Sequence, residues 1–154
     1  ENPSEFKKVL MNLEPGIKMN MRGPIGSFYI HNNRPSLLIA GGIGITPYRA
    51  ILKDLMLSIE KKPSLMKIVY LDSSEDYIYK EELNSISNDL DIRIKYLTKR
   101  EDLTKEIESF TSEYGNEGNY FVVGSKKMTE SVTKFLKEQK IKRNNIIKDI
   151  FIGY

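Results

Sequence analysis

The sequence predicts an α/β fold: a five-stranded parallel sheet with helices on both faces. Three observations carry this expectation. Short apolar runs alternate with helix-like segments five times. The first of those runs breaks into glycines before a helical pattern begins, and the 154 residues are enough to bury a substantial core. In such a fold, ligands gather beyond the carboxyl ends of the strands.

The elements follow in order. The first strand is expected at 36–40, an unbroken apolar run after Ser36. A helix at 48–60 repeats apolar residues at Ile51, Leu52, Leu55 and Ile59, the spacing of one helical face. The second strand is expected at 66–71, a short helix at 81–86, the third strand at 92–97 and another short helix at 104–110. The fourth strand, 120–123, precedes a helix at 128–140 whose apolar stripe is Met128, Val132, Phe135 and Leu136. A weaker apolar run at 146–150 supplies the fifth strand.

The break after the first strand reads Gly41-Gly42-Ile43-Gly44-Ile45-Thr46-Pro47. Glycines let a backbone turn tightly and approach a ligand, and the free N–H groups of a following helix start favour an anion. A phosphate or dinucleotide site is therefore one reading, and a purely structural strand-to-helix turn is the other. The run lacks the G-x-G-x-x-G spacing and the lysine of a P-loop.

Composition narrows the classes. The 24 Lys and Arg against 21 Asp and Glu leave +3, with no basic block or aromatic platform suited to nucleic acid. There is no apolar run of transmembrane length and no secretory leader, so a soluble, cytoplasmic protein is the expectation. Without cysteine the chain has no disulfide and no thiolate ligand for an iron–sulfur cluster. The single histidine, His31, sits beside Asn32 and Asn33 and reads as a solvated turn residue with no metal cluster around it.

Residues 1–34 have a different texture. Pro15-Gly16 marks a turn, Ile17, Met19 and Met21 alternate as in a strand, and a glycine-proline interruption precedes a second strand-like stretch at 27–30. Two strands cannot close a stable domain, so this segment is expected to pack on the α/β unit or on something outside the chain. Ser4, ahead of Val9, Leu10 and Leu13, suits the cap of a short helix.

The order Ser4-Glu5-Phe6-Lys7, Pro15-Gly16, Gly23-Pro24-Ile25-Gly26-Ser27-Phe28, the glycine run at 41–47 and Val123-Gly124-Ser125-Lys126-Lys127-Met128 resembles the ferredoxin reductase-type flavin and pyridine-nucleotide oxidoreductases. Phe151-Ile152-Gly153-Tyr154 is similar to the aromatic ending of one branch. The resemblance implies strand order 3-2-1-4-5 in an NAD(P)-binding domain at 35–154, preceded by a partial antiparallel β-barrel. Residues 1–34 would be the C-terminal remnant of that FAD-binding barrel, whose Arg-x-Tyr-Ser flavin motif is absent from the chain.

By the same resemblance, the complete protein moves a hydride from the nicotinamide of NAD(P)H to FAD and passes electrons to a further acceptor domain or protein. Gly41, Gly42, Gly44, Ile45 and Thr46 would hold the pyrophosphate and the nicotinamide side of the dinucleotide. Thr46 is the best hydroxyl donor among them, with a helix cap as its structural alternative. Gly124 and Ser125 would face the same crevice, although many relatives have Cys-Gly-Pro where this chain has Val-Gly-Ser. Ser4 would lie near the flavin pyrophosphate, and Tyr154 would cover the flavin ring, with packing at a domain joint as its alternative.

Asp72, ending the second strand, can accept from an adenosine ribose and repels a 2′-phosphate, which favours NADH over NADPH. Lys99 and Arg100 after the third strand offer the opposing possibility of holding that phosphate. The alternative function from another class is a nucleotide-binding regulatory or assembly module without flavin chemistry.

Overall fold

The computed structural model describes residues 3–20, 22–23, 26, 28–30, 32–58 and 62–151. After a short helix α1 (Glu5–Met11), the chain forms β1 (Ser36–Gly41), a 3-10 turn (Gly42–Ile45) and α2 (Thr46–Leu57). It continues through β2 (Met66–Leu71), α3 (Lys80–Asp89), β3 (Arg93–Leu97) and α4 (Arg100–Tyr114). The last elements are β4 (Asn119–Ser125), α5 (Lys126–Glu138) and β5 (Ile146–Phe151).

The five strands lie in the order β3-β2-β1-β4-β5 and every pairing is parallel, as expected from the sequence. Ala40 of β1 stands between Tyr70 of β2 and Val123 of β4, so the ends of these three strands share one level. Parallel neighbours require a crossover each time, and the helices supply it.

Alternation along the central strands builds two cores. Leu38 and Ala40 join Ile68, Tyr70, Phe121 and Val123 against Tyr48, Leu52 and Leu55 of α2 and Leu83 and Ile86 of α3. Leu37, Ile39 and Val69 face the other way, against Leu103 and Ile107 of α4 and Val132 and Leu136 of α5. Both faces of β1 are therefore dry, which is why its sequence is continuously apolar instead of alternating. The fully buried phenol of Tyr48 donates to the Ile39 carbonyl at 3.1 Å, and its burial pushes its pKa well up.

The four helices between strands begin earlier than the sequence reading, α3 by one residue, α2 and α5 by two and α4 by four. α4 begins at Arg100 and not at 104, because Glu101 and Asp102 sit in its first turn, where negative charge suits the free N–H groups. α2 takes in Thr46 and Pro47, with the proline in the first turn, where it costs no helical hydrogen bond.

The leading segment departs further. Ser4 does cap α1, accepting from the Lys7 N–H at 3.3 Å, but α1 buries none of its residues. No strand occurs among the described residues before Ser36, so the expected partial barrel is not formed there. Among the described residues, the alternation of Ile17 and Met19 meets no neighbouring strand to complete a hydrogen-bonded ladder. Met21, Ser27 and His31, and Ile59 after α2, lie outside the described residues.

The segment is nevertheless fastened to the sheet. Phe28 packs on Tyr48 and edge-on against Phe121, with ring centroids 5.7 and 5.6 Å apart. Further along, the Asn33 and Pro35 carbonyls accept from the N–H groups of Ser64 and Asn119. Among the described residues, no helix is long and apolar enough to cross a membrane.

Candidate functional site: a crevice at the carboxyl edge of the sheet

The ends of β1, β2, β3 and β4 open onto a cleft of about 270 Å³. Gly41 and Gly42 line it at the end of β1, Asp72 just after β2, Thr98 just after β3, Arg100 from the start of α4, and Ser125 with Met128 from β4 and α5. This is the position that the order of the strands dictates, since β1 is where the chain reverses its direction of travel across the sheet.

The three glycines differ in what they do. Gly42 has φ +52, a left-handed backbone that favours glycine, and it turns the chain from the strand into the 3-10 turn. A Cβ at Gly41 would lie 2.0 Å from Met128 Sδ, so the thioether fills the space that a side chain would need. A Cβ at Gly44 would lie 2.6 Å from the Val123 carbonyl oxygen, and Gly44 is itself buried. Its close approach is thus to the backbone of β4. That differs from the sequence reading, in which a ligand was the neighbour that required glycine.

Two further residues of the turn are also engaged by the protein. Ile45 is fully buried in the α2–α3 core. Thr46 donates its hydroxyl proton to the Ile43 carbonyl at 2.8 Å, which ties the turn. The hydroxyl thus has a structural partner within the turn, beside the donor role expected from the sequence.

Asp72 is oriented with its own loop. One carboxylate oxygen accepts from the Ser74 N–H at 2.9 Å and the Ser74 hydroxyl at 2.5 Å, while its backbone N–H donates to Leu97. The other oxygen faces Gly42, lying 3.8 Å from where a Cβ on that glycine would stand. Opposite, Ser125 caps α5 by accepting from Met128 N–H at 3.4 Å, so the free N–H groups of a 13-residue helix start beside the cleft.

Arg100 lines both this cleft and an adjoining apolar groove between α4 and α5, and Met128 stands at the boundary of the two. Sequence reading placed Met128 in a core stripe and at the end of the Val123–Met128 motif, and assigned it no contact with Gly41. Its contact with Gly41 joins residues far apart in the chain, and no local pattern reports that. Gly124 is a neighbour of the same sulfur, with a Cβ there meeting it at 2.9 Å. Ser4 belongs to the cap of α1 and does not line the crevice, while Tyr154 lies outside the described residues.

A parallel sheet of this order, with a glycine turn and a capped helix at its carboxyl edge, defines a doubly wound α/β domain of the nucleotide-binding class. The family profile described as the oxidoreductase NAD-binding domain matches residues 38–134, and the chain belongs to that family. A component of the Na(+)-translocating NADH-quinone reductase of Chlamydia caviae is 26% identical over 165 residues, covering 92% of this chain and 38% of that protein. Flavohemoprotein B of Dictyostelium discoideum is 26% identical over 155 residues, covering 91% and 36%.

Among solved structures, flavohemoglobin from Malassezia yamatoensis with bound FAD and heme superposes with a TM-score of 0.76 at 21% identity, covering 99% of this chain and 42% of that one. A mutant ferredoxin-NADP+ reductase from Plasmodium falciparum also gives 0.76, at 23% identity, with 97% and 67% covered. The fold is therefore that of the ferredoxin reductase-like nucleotide-binding domain. The chain spans about two fifths of the length of these curated relatives.

Proposed function

We propose that the chain binds NAD(P)H in the carboxyl-edge crevice and, as part of a longer flavoprotein, serves hydride transfer to FAD and onward electron delivery to an acceptor. The observation that carries this reading is the convergence of the Gly41–Gly42 turn, the Asp72 carboxylate and the capped start of α5 on one cleft. Bare backbone at Gly42 and free N–H groups at α5 suit a pyrophosphate, and a carboxylate oxygen suits a ribose hydroxyl, so the residues present fit a dinucleotide.

When bound, the nicotinamide would supply a hydride and the flavin would accept it. The residues of this chain bind and orient. Gly42 brings backbone close to the pyrophosphate, Ser125 holds the α5 N–H groups in place, and the Asp72 oxygen not used by Ser74 takes the adenosine-side hydroxyls. None of these residues exchanges a proton.

The same carboxylate disfavours a 2′-phosphate, so NADH is preferred over NADPH, with Arg100 across the cleft limiting the margin. Residues 1–34 are the trailing part of the flavin domain, with Ser4 on the flavin side. Exposed Phe6, Val9 and Met11 of α1 support this by presenting apolar surface without cover. Tyr154 is assigned to the flavin ring by the family resemblance.

Fluorescence titration of the chain with NADH and NADPH tests the reading. NADH binds more tightly, and Asp72→Asn narrows the difference. No binding of either nucleotide at millimolar concentration would overturn the site, and a strong preference for NADPH would overturn the role of Asp72.

A further inference from the structure

The segment between β2 and α3, Asp72–Tyr79, is held in an unusual way. Two of its residues, Glu75 and Tyr79, are not glycine yet have φ +61 and +62. Such backbone persists only where surrounding contacts over-determine it, and it concentrates at functional loops. Here the contacts are aromatic. The Tyr77 ring stands edge-on to Tyr70 and Tyr96, with centroids 5.2 and 4.9 Å away. The Lys80 ammonium lies 5.3 Å from the Tyr77 centroid and 5.2 Å from that of Tyr96.

The partners of Tyr77 are themselves fixed. The Tyr70 hydroxyl accepts from the Ile78 N–H at 3.2 Å, the residue next to Tyr77, and the Tyr96 hydroxyl donates to Asn84 of α3 at 2.7 Å. Arg49 of α2 lies 4.6 Å from the centroid of the Tyr79 ring while its guanidinium pairs with Glu82, closing the far end of the segment.

The near end of the segment is Asp72. Tyr77 N–H donates to the Glu75 carbonyl, and Glu75 N–H to the Asp72 carbonyl, at 3.0 and 3.3 Å. Ser74 then fixes one Asp72 carboxylate oxygen and leaves the other toward Gly42. A continuous set of contacts therefore runs from an aromatic cluster outside the cleft to the carboxylate inside it.

We propose that Tyr77 is a positioning residue: wedged between Tyr70 and Tyr96, it pins the Asp72–Tyr79 segment and thereby sets where the Asp72 carboxylate meets the adenosine half of a dinucleotide. This rests on the functional reading above and adds a residue that touches no ligand. It also gives a role to the packing of Tyr77 between Tyr70 and Tyr96 and to the Lys80 ammonium beside two of these rings.

The test uses the chain itself with Tyr77→Leu, Tyr77→Phe and, as a surface substitution that leaves the rings in place, Lys80→Gln. Calorimetric titration with ADP-ribose probes the adenosine half, titration with nicotinamide mononucleotide probes the other half, and hydrogen exchange follows the Ser74 and Ile78 amides. Tyr77→Leu should weaken ADP-ribose about fivefold, leave nicotinamide mononucleotide unchanged and speed exchange at both amides. Tyr77→Phe keeps the ring and should restore all three readings, and Lys80→Gln should shift them in the same direction as Tyr77→Leu but less.

Unchanged ADP-ribose affinity with faster exchange would overturn the link to Asp72. Unchanged exchange would overturn the pin. Should Tyr77→Leu not fold, unchanged affinity and exchange in Lys80→Gln would overturn the proposal. Failure of the unsubstituted chain to bind ADP-ribose at all would overturn the functional reading instead, and the exchange rates would still decide whether Tyr77 holds the segment.

Discussion

Leu38 and Val9 are both apolar residues in a regular pattern, yet Leu38 is wholly buried and Val9 is 58% exposed. The difference lies in what each pattern meets. Leu38 sits on the central strand between two hydrogen-bonded neighbours, with α2 over it. Val9 lies on a helix too short to stand alone and with no buried residue. Among the described residues, the strands from Ser36 onward find their partners in the two cores, whereas the apolar residues of α1 remain uncovered. A periodicity in sequence is a demand for a partner, and it becomes tertiary structure only where the partner is within reach.

The largest expected effect probes the satisfied region. Leu38→Ala should cost about 3–5 kcal/mol in urea unfolding, since it opens a cavity between sheet and α2 that neighbours on both flanking strands cannot fill. A cost under about 1 kcal/mol would show that the core is much looser than its burial indicates, and the contrast with the leading segment would collapse. Next comes Gly44→Val, at about 2 kcal/mol or more, because the new Cβ meets the Val123 carbonyl oxygen and carbon at 2.6 and 2.8 Å and a paired strand backbone cannot step aside. Unchanged stability would mean that the turn can shift away from β4.

These substitutions also mark what the sequence disclosed. The second strand was legible to the residue at 66–71, and the parallel order followed from joining the alternation to a family topology. The glycine run was legible as the break between a buried strand and a helix, and that break lies at the cleft beyond β1. What each glycine faces was not legible. Gly41 faces a sulfur contributed by Met128, and Gly44 faces the backbone at Val123, both set by tertiary approach and not by local spacing. The Tyr70, Tyr77 and Tyr96 cluster escaped for the same reason, since its members come from two strands and a loop with no shared period.

Phe28 sharpens the comparison because it is the leading segment's aromatic anchor in the sheet's core. Phe28→Ala should lower stability by about 1 kcal/mol, less than a core leucine, and should raise proteolytic cleavage before Ser36. A loss as large as that of Leu38→Ala would make the segment part of the core and not an attachment to it.

Ion pairs repeat the contrast with smaller effect. Glu82 accepts from Arg49 through both oxygens and from Lys53, and these hydrogen bonds hold its carboxyl at about 2, against an ordinary 4.5. The folded-state value is depressed, so the stabilisation is present above about pH 4.5 and is lost as pH falls toward about 2. Glu82→Gln should therefore lower the urea midpoint at pH 7, and the gap to the unsubstituted chain should close through that acid range. Its side chain is one-third exposed, so solvent and salt reduce the effect. A gap that persists unchanged at about pH 2.5 would assign the loss to packing and not to charge.

The smallest effect is expected at Val9. Val9→Ser replaces an apolar group that is already mostly in water, within a helix whose cap at Ser4 is untouched. Urea unfolding of this chain should shift by less than about 0.5 kcal/mol, and any change should be confined to the local exchange of α1 amides. The same substitution in a longer protein carrying a flavin domain should cost more, because there the valine would be covered. If Val9→Ser already costs more than about 1 kcal/mol in the present chain, α1 is packed against the sheet in solution, and the leading segment has found within the chain the cover that its pattern demands.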